Sequence, residues 1–308
     1  MDNSSTDVKI VVVGSYGVGI SLTVDRVPDA GETVIGQTFR TGHGGKGSNQ
    51  AVAAARLGAS VSLCTVVGND AFGDDARTLW AAEGVDFRMT RTIEGSTMIG
   101  MILVDKAGEN RIAIVPGVLD KFTVDALDPL AVALVDADVL LVGLEIPIAT
   151  AFGALRIGRK AGVTTILNPA PAPATALPDG MLALVDHLIP NRTEAARLSG
   201  LAPTTDAEVL INSAVFADVE TVVLTLGAEG ALVRRNRELT HLEAASVPVV
   251  DTTGAGDSFN AAYAVMLARG TDPVDAARFA VRAAARCVTR HEVIPSLPYA
   301  SDLDWSFT

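Results

Sequence analysis

Short β-branched runs alternate with alanine-rich amphipathic stretches along most of the chain, and this alternation dictates a parallel sheet. The runs are Val8 to Val13, Val61 to Val66, Val139 to Val142, Thr164 to Leu167 and Val222 to Leu226. Their apolar or β-branched character predicts strands, and 3.6-residue periodicity predicts helices over Ser48 to Leu57, Phe72 to Ala82, Ile148 to Ala161 and Thr193 to Ser199. A helix between consecutive strands is a crossover, which sets the strands side by side and parallel. Two long helices are expected near the C-terminus. The fold class that follows is α/β, a doubly wound, mostly parallel sheet flanked by helices, with 1–308 as one domain.

Two segments break the pattern. Ser21 to Arg40 and Thr97 to Val115 read as hairpins, the second turning at Asp105-Lys-Ala-Gly-Glu-Asn110. Because each leaves the core soon after a strand and returns to glycine-bearing turns, a small β-sheet lid is expected from about 20–41 and 96–116, over the strands' carboxyl ends.

Composition narrows the classes of partner. A net charge of −12 disfavours sequence-independent binding to nucleic acid or to an anionic membrane, both of which need clustered Lys and Arg. Two cysteines, Cys64 and Cys287, stand far apart and predict a reducing compartment, the cytoplasm. The first residues, Met1 to Asp7, carry neither a basic start nor an apolar run, so no leader is expected. The most apolar window, Val139 to Leu144, is too short to span a bilayer. His43, His187, His241 and His291 have no metal-ligand spacing, and no Gly-x-Ser-x-Gly elbow with a partner stands out.

The richest motif is Val250-Asp-Thr-Thr-Gly-Ala-Gly-Asp-Ser-Phe259, running into a helical stretch. Gly254, Ala255 and Gly256 can open backbone N–H groups into a nest at a helix N-terminus, where the helix dipole favours phosphate. Asp257 beside that anion makes chemical sense as a base taking the proton of an attacking hydroxyl. The plainer alternative is an Asp near a helix start after a glycine turn, which accounts for one residue of the four.

Thr41-Gly-His-Gly-Gly-Lys-Gly-Ser-Asn-Gln50 also leads into a helix, and lacks the Gly-Lys-Ser/Thr order of a Walker A loop. Its glycines allow close backbone approach, and Lys46 and Asn49 offer donors; a tight turn before an alanine-rich helix is the alternative. Asn191-Arg-Thr-Glu194 reads as a capping arrangement, or as part of a hydrated Mg²⁺ and phosphate site if one lies nearby. Thr225-Leu-Gly-Ala-Glu-Gly230 frames a nucleotide or makes a hairpin turn. Glu145 ends an apolar strand, where α/β sheets present functional groups; a solvated loop carboxylate is its rival reading. Gly14-Ser-Tyr-Gly-Val-Gly-Ile-Ser21 gives Gly-x-x-Gly-x-Gly, which does not match the dinucleotide fingerprint.

In combination and order, these residues resemble the PfkB carbohydrate kinases, most closely the ribokinase branch, over nearly the whole chain. The markers are Gly44 to Ala51, Leu144-Glu145, Asn168-Pro-Ala-Pro-Ala172, Asn191 to Glu194, Thr225-Leu-Gly227 and Asp251 to Asp257. The resemblance implies a ribokinase-like core with a β lid, a homodimer formed through that lid, and ATP-dependent phosphorylation of a sugar hydroxyl. It implies Asp257 as the base, with the amides of Gly254, Ala255 and Gly256 holding the transferred phosphate. Gly17, Gly19, Gly45, Lys46, Gly47, Asn49 and Glu145 would then line the acceptor site. Asn191, Thr225, Gly227, Gly230 and Gly256 would contact ATP, with Glu194 organising Mg²⁺ through water. A monovalent cation, K⁺, would correspond to Asp251, Thr253, Cys287, Arg290, Glu292 and Ser296, with Glu292 departing from the family's glycine.

The other departures fall in the acceptor site. The family's Asn and Asp after the first Gly-Ser are Gly17 and Gly19 here, and its Gly-Ala-Asn is Gly117-Val-Leu119. Residues two apart in an extended segment share a face, so one face of the pocket loses two polar side chains and gains volume. The expected acceptor is bulkier or less hydroxylated than ribose: a substituted sugar, a polyol, or a nucleoside whose base meets Tyr16. The rival readings are a catalytically silent sugar-binding or scaffold protein and, from the N-terminal glycines alone, a dinucleotide-dependent oxidoreductase.

Overall fold

In the computed structural model, which describes residues 8–107 and 109–305, the predicted alternation becomes an eight-stranded sheet. Met1 to Asp7, read above for a leader, and Gly108 of the second hairpin turn lie outside the described residues. In chain order the strands are β1 (Lys9–Val13), β2 (Gly17–Val24), β3 (Gly36–Gly44), β4 (Ser60–Cys64), β5 (Val66–Gly68), β6 (Arg91–Ile93), β7 (Met98–Val104), β8 (Asn110–Val115), β9 (Val139–Gly143), β10 (Thr164–Asn168), β11 (His187–Leu188), β12 (Thr221–Thr225), β13 (Ala231–Arg235) and β14 (Glu238–Leu242). The helices are α1 (Lys46–Arg56), α2 (Ala71–Ala82), α3 (Leu130–Ala133), α4 (Ile148–Ala161), α5 (Arg192–Ser199), α6 (Ala207–Ile211), α7 (Ala255–Ala268), α8 (Pro273–Cys287) and α9 (Val293–Ser296).

The large sheet runs β14-β13-β12-β11-β10-β9-β1-β4. It is parallel from β4 to β12, and β13 and β14 add an antiparallel edge. Strand alternation splits the core between two faces. Ile10 and Val12 of β1 pack with α1, α7 and α8, whereas Val11 and Val13 pack with α4 and the α5–α6 region. Helix ends follow local chemistry: Asp70 caps α2 by accepting from Gly73 N–H at 2.9 Å, and Gly162 closes α4 in the left-handed conformation.

β4 lies on one side of β1 and β9 on the other, so the chain leaves their carboxyl ends in opposite directions, and Ser15 and Glu145 meet at this switch point. Over this end stands a second sheet, β3-β2-β7-β8, in which two hairpins join through the parallel pair β2–β7. This lid sheet begins at Gly17, slightly earlier than the sequence suggests. The run expected as one strand from Val61 to Val66 divides at Thr65, its second part pairing with β6 in a separate two-stranded sheet. Among the described residues, no helix is long and apolar enough to cross a membrane.

Candidate active site

Three chain segments converge at the switch point, and α1 brings most of the polar groups. Gly45 starts that helix at φ +83°, and an added Cβ there would stand 2.5 Å from Tyr16 Cα, so only glycine lets the helix begin so close to the end of β1. Glu145, beyond β9, fixes the same point from the other side. Its Oε2 accepts from Ser15 Oγ at 2.5 Å and from Lys46 N–H at 2.9 Å, while Gly47 N–H faces Ser15 Oγ at 3.5 Å. Glu145 therefore neutralises a free amide at the positive end of α1, a position where a carboxylate is favoured.

One turn further on, Asn49 Nδ2 donates to Asp257 Oδ2 at 2.8 Å and Gln50 Nε2 donates to Asp257 Oδ1 at 3.1 Å. Gln50 also reaches Asn168 Oδ1 at 3.2 Å, and Asn168 Nδ2 donates to Ile189 C=O at 2.9 Å. Each Asp257 oxygen is thus aimed by an amide from α1. Burial pushes the Asp257 carboxyl above the ordinary carboxylate range, against the pull of the Lys46 ammonium and the Asn49 and Gln50 amides; Glu145 adds to the rise. Burial opposes the charge of Lys46, but Asp257, Glu145 and Glu194 outweigh it and hold its pKa above the usual value. Asn49 Oδ1 and Gln50 Oε1 are buried with no hydrogen-bond partner among the described residues.

Asp257 lies in the first turn of α7, whose N-cap is Gly254 at φ +85°. Ala255 N–H closes a turn onto Thr252 C=O at 3.3 Å, so it is not free as the three-amide nest supposed. Gly254 and Gly256 N–H have no backbone acceptor among the described residues. Behind them, Asp251 Oδ1 accepts from Thr253 N–H and Oγ1 at 2.9 and 2.6 Å, and its Oδ2 accepts from Glu292 N–H at 3.1 Å. Cys287 Sγ lies 3.8 Å from Thr253 C=O and 3.1 Å from Ser296 Oγ, and Arg290 sits in the same loop, 3.7 Å from Asp302. These contacts bring Asp251, Thr253, Cys287, Glu292 and Ser296 together beside the start of α7. Glu292 adopts φ +65°, ψ 159°, so the non-glycine side chain does not prevent the turn.

Asn191 and Thr225 meet as a bridge at the ends of β11 and β12. Asn191 and Glu194 form a reciprocal capping box, with Oδ1 accepting from Glu194 N–H and Oε2 from Asn191 N–H, each at 2.8 Å. This is the capping alternative, and it leaves Glu194 Oε1 outside the box. Burial raises the Glu194 pKa despite the opposing Asn191 amide and Lys46. Gly227 and Gly230 belong to the turn joining β12 to β13, where Leu226 N–H donates to Gly230 C=O at 2.8 Å.

The lid corrects two expectations. Tyr16 is fully buried, its hydroxyl 2.8 Å from His43 Nδ1 and its ring edge-on to Trp80, so it does not meet an acceptor's base. Gly17 adds no volume, because a Cβ there would lie 2.5 Å from Met98 Cε and 2.9 Å from Met98 C=O. Gly19 does leave space. It pairs in register with Gly42 of β3 and Gly100 of β7, and an added Cβ meets nothing within 4 Å at Gly42 or Gly100 and nothing closer than 3.8 Å at Gly19. Leu119 is buried in apolar surroundings. Ser15, Gln50 and Asn168 join the site only through the fold; the sequence signal for Gln50 is the run of polar residues at the start of α1.

A carboxylate held beside free amides of a helix N-terminus is the pairing needed to move a phosphoryl group onto a hydroxyl, and it defines the class: a phosphotransferase with an alcohol acceptor. Residues 7–300 match the family model described as pfkB family carbohydrate kinase. Ribokinase of Haemophilus influenzae is 35% identical over 94% of this chain and 95% of its own length, and deoxyribokinase of Salmonella typhi is 32% identical over the same shares. The structure of Arabidopsis thaliana ribokinase complexed with ribose and ATP superposes with a TM-score of 0.88 at 31% identity, over 96% of each chain. The chain belongs to the pfkB family of carbohydrate kinases, as a ribokinase-like member.

Proposed function

We propose that this kinase transfers the γ-phosphate of ATP to a hydroxyl of a sugar or sugar-like acceptor that is bulkier or poorer in hydroxyls than ribose, with Asp257 as the base. The observation that carries the base assignment is the fixing of both Asp257 oxygens by Asn49 and Gln50 beside the start of α7. Lys46, Asn49 and Glu145 line the acceptor side with Gly45 and Gly47, and Gly17 and Gly19 form the lid wall. The amides of Gly254 and Gly256 face the transferred phosphoryl group, and Asp257 takes the proton of the attacking hydroxyl as the new O–P bond forms.

Asn191, Thr225, Gly227 and Gly230 fit the nucleotide side, because the bridge between Asn191 and Thr225 sets an amide and a turn at adjacent strand ends. Among the described residues no group of three or more His, Cys, Asp or Glu could hold a metal. Glu194, with one oxygen in its capping box, therefore suits Mg²⁺ through water, the ion itself neutralising phosphate charge when bound. A K⁺ ion would rest on main-chain oxygens of the Asp251 to Thr253 and Cys287 to Ser296 loops, since Asp251 already serves N–H groups of those loops.

The open row Gly42–Gly19–Gly100 supports a bulky acceptor. None of the three has a positive φ, and glycine inside a strand is unfavourable, so backbone geometry does not demand them. The opposite face of the lid exposes Phe39 and Val115 at 64% and 55%, which suits the proposed homodimer. Both cysteines are free and buried, in keeping with a cytoplasmic setting. The test is ATP consumption across pentoses, deoxypentoses, hexoses, polyols, O-alkyl glycosides and nucleosides. Turnover highest on substituted or deoxy acceptors is expected; ribose as the preferred acceptor would overturn the acceptor class, and no turnover with any acceptor would leave the silent binder.

A further inference from the structure

Glu292 is the one described residue outside the β13–β14 turn that combines a side chain with a positive φ, and its φ +65°, ψ 159° lies in a region that is otherwise almost reserved for glycine. Such a conformation persists only where the surroundings impose it. Here they do: Arg56, at the far end of α1, donates through Nη1 to Ile294 C=O at 2.6 Å and Leu297 C=O at 2.9 Å, and grips Glu83 through Nε and Nη2 at 2.9 and 2.6 Å. The segment following Glu292 is thereby bolted to α1.

Two contacts lead away from Glu292. Its N–H holds Asp251 Oδ2, and the next residue, Val293, presses on the N-cap of α7, with Cγ1 3.0 Å from where a Cβ on Gly254 would stand. Its carboxylate points the other way, to the lid, with Oε1 3.6 Å from Arg40 Nη1 of β3. Arg40 is two residues from Gly42 and so shares the face of the open glycine row. One strained residue thus touches both the lid and the loop that presents the Gly254 amide.

Resting on the kinase reading above, we propose that Glu292 is a positioning residue that latches the lid, through Arg40, to the loop carrying the phosphate-facing amides. The strained backbone places the carboxylate within reach of β3; a glycine there would relax the turn and uncouple the two. Closing the lid over an acceptor then sets Asp251, Thr253 and Gly254 as well.

The test uses Arg40→Gln, Glu292→Gln, Glu292→Gly and the double variant Arg40→Gln/Glu292→Gln in the full chain. Amide hydrogen exchange at Phe39 to Thr41 is expected to speed up at least threefold in each, and no further in the double variant than in either single one. Glu292→Gly is expected to raise Tm by roughly 3 °C as the strain is lost. With the best acceptor of the panel, Arg40→Gln raises acceptor KM three- to tenfold with kcat within threefold. Unchanged lid exchange, or additive effects in the double variant, would overturn the latch even if the wild type is an active kinase. Faster lid exchange in a protein that phosphorylates nothing would keep the latch and reject the kinase reading.

Discussion

Asn49 donates its side-chain amide to Asp257 at 2.8 Å, from a helix whose first residue is Lys46. The helix proposed to face the acceptor therefore also sets the charge state of the proposed base. Because burial raises the Asp257 pKa and the Asn49 amide lowers it, the acid limb of kcat/KM should lie above the ordinary carboxylate range. Asn49→Ala removes a stabiliser of the carboxylate, so the limb should move to higher pH. A pH–rate profile of the two proteins checks this, and a shift to lower pH would contradict the assignment.

Asp257→Asn should lower kcat by a factor of about 10² to 10⁴ while ATP still binds, as loss of a general base does. Single-turnover phosphoryl transfer, with nucleotide binding measured by calorimetry, separates the two. Equal turnover in both proteins would remove Asp257 from the chemistry.

Gly19→Asp should improve ribose kcat/KM by about tenfold or more, since one hydrogen bond to a charged group contributes roughly 1.5–3 kcal/mol. The site has room for it, with Ile102 Cδ1 the nearest side-chain atom to an added Cβ at 3.8 Å. Gly100→Val should do the opposite for bulky acceptors, lowering their kcat/KM without a matching loss for ribose. Competition assays with ribose and an O-benzyl riboside read both changes.

Asn191→Ala removes the oxygen that accepts from Glu194 N–H, a cap contributing about 1 kcal/mol. Thermal unfolding should show a lower Tm. ATP KM should rise as well, because the first turn of α5 that presents Glu194 loses its side-chain cap, even though the N–H of residue 191 still meets the Glu194 carboxylate. A lower Tm with unchanged ATP KM would confine the box to structure.

The period of the apolar residues made the sheet and most helices legible, and the two interruptions marked the second, four-stranded sheet. What stayed hidden depended on partners distant in sequence. Gln50 reads as a helix-start residue until Asp257, 207 positions away, is placed beside it. Ser15 likewise gains meaning only from Glu145, 130 positions on. β13 and β14 escaped notice because Arg234, Arg235, Glu238 and His241 interrupt their apolar pattern at an edge of the sheet. Tyr16 was misplaced for a local reason: neighbouring residues in an extended chain point to opposite sides, so a residue beside Gly17 faces away from the pocket.

Met98 limits the routes by which this site could change. Its Cε fills the space that a side chain on Gly17 would need, and its carbonyl oxygen stands 2.9 Å from the same point. An asparagine introduced at position 17 alone collides with the neighbouring strand, and trimming Met98 first clears the methyl group but not the backbone oxygen. A polar residue here requires β7 to move before the substitution becomes tolerable. The order of steps is fixed by geometry, which makes a side chain far harder to install at Gly17 than at Gly19.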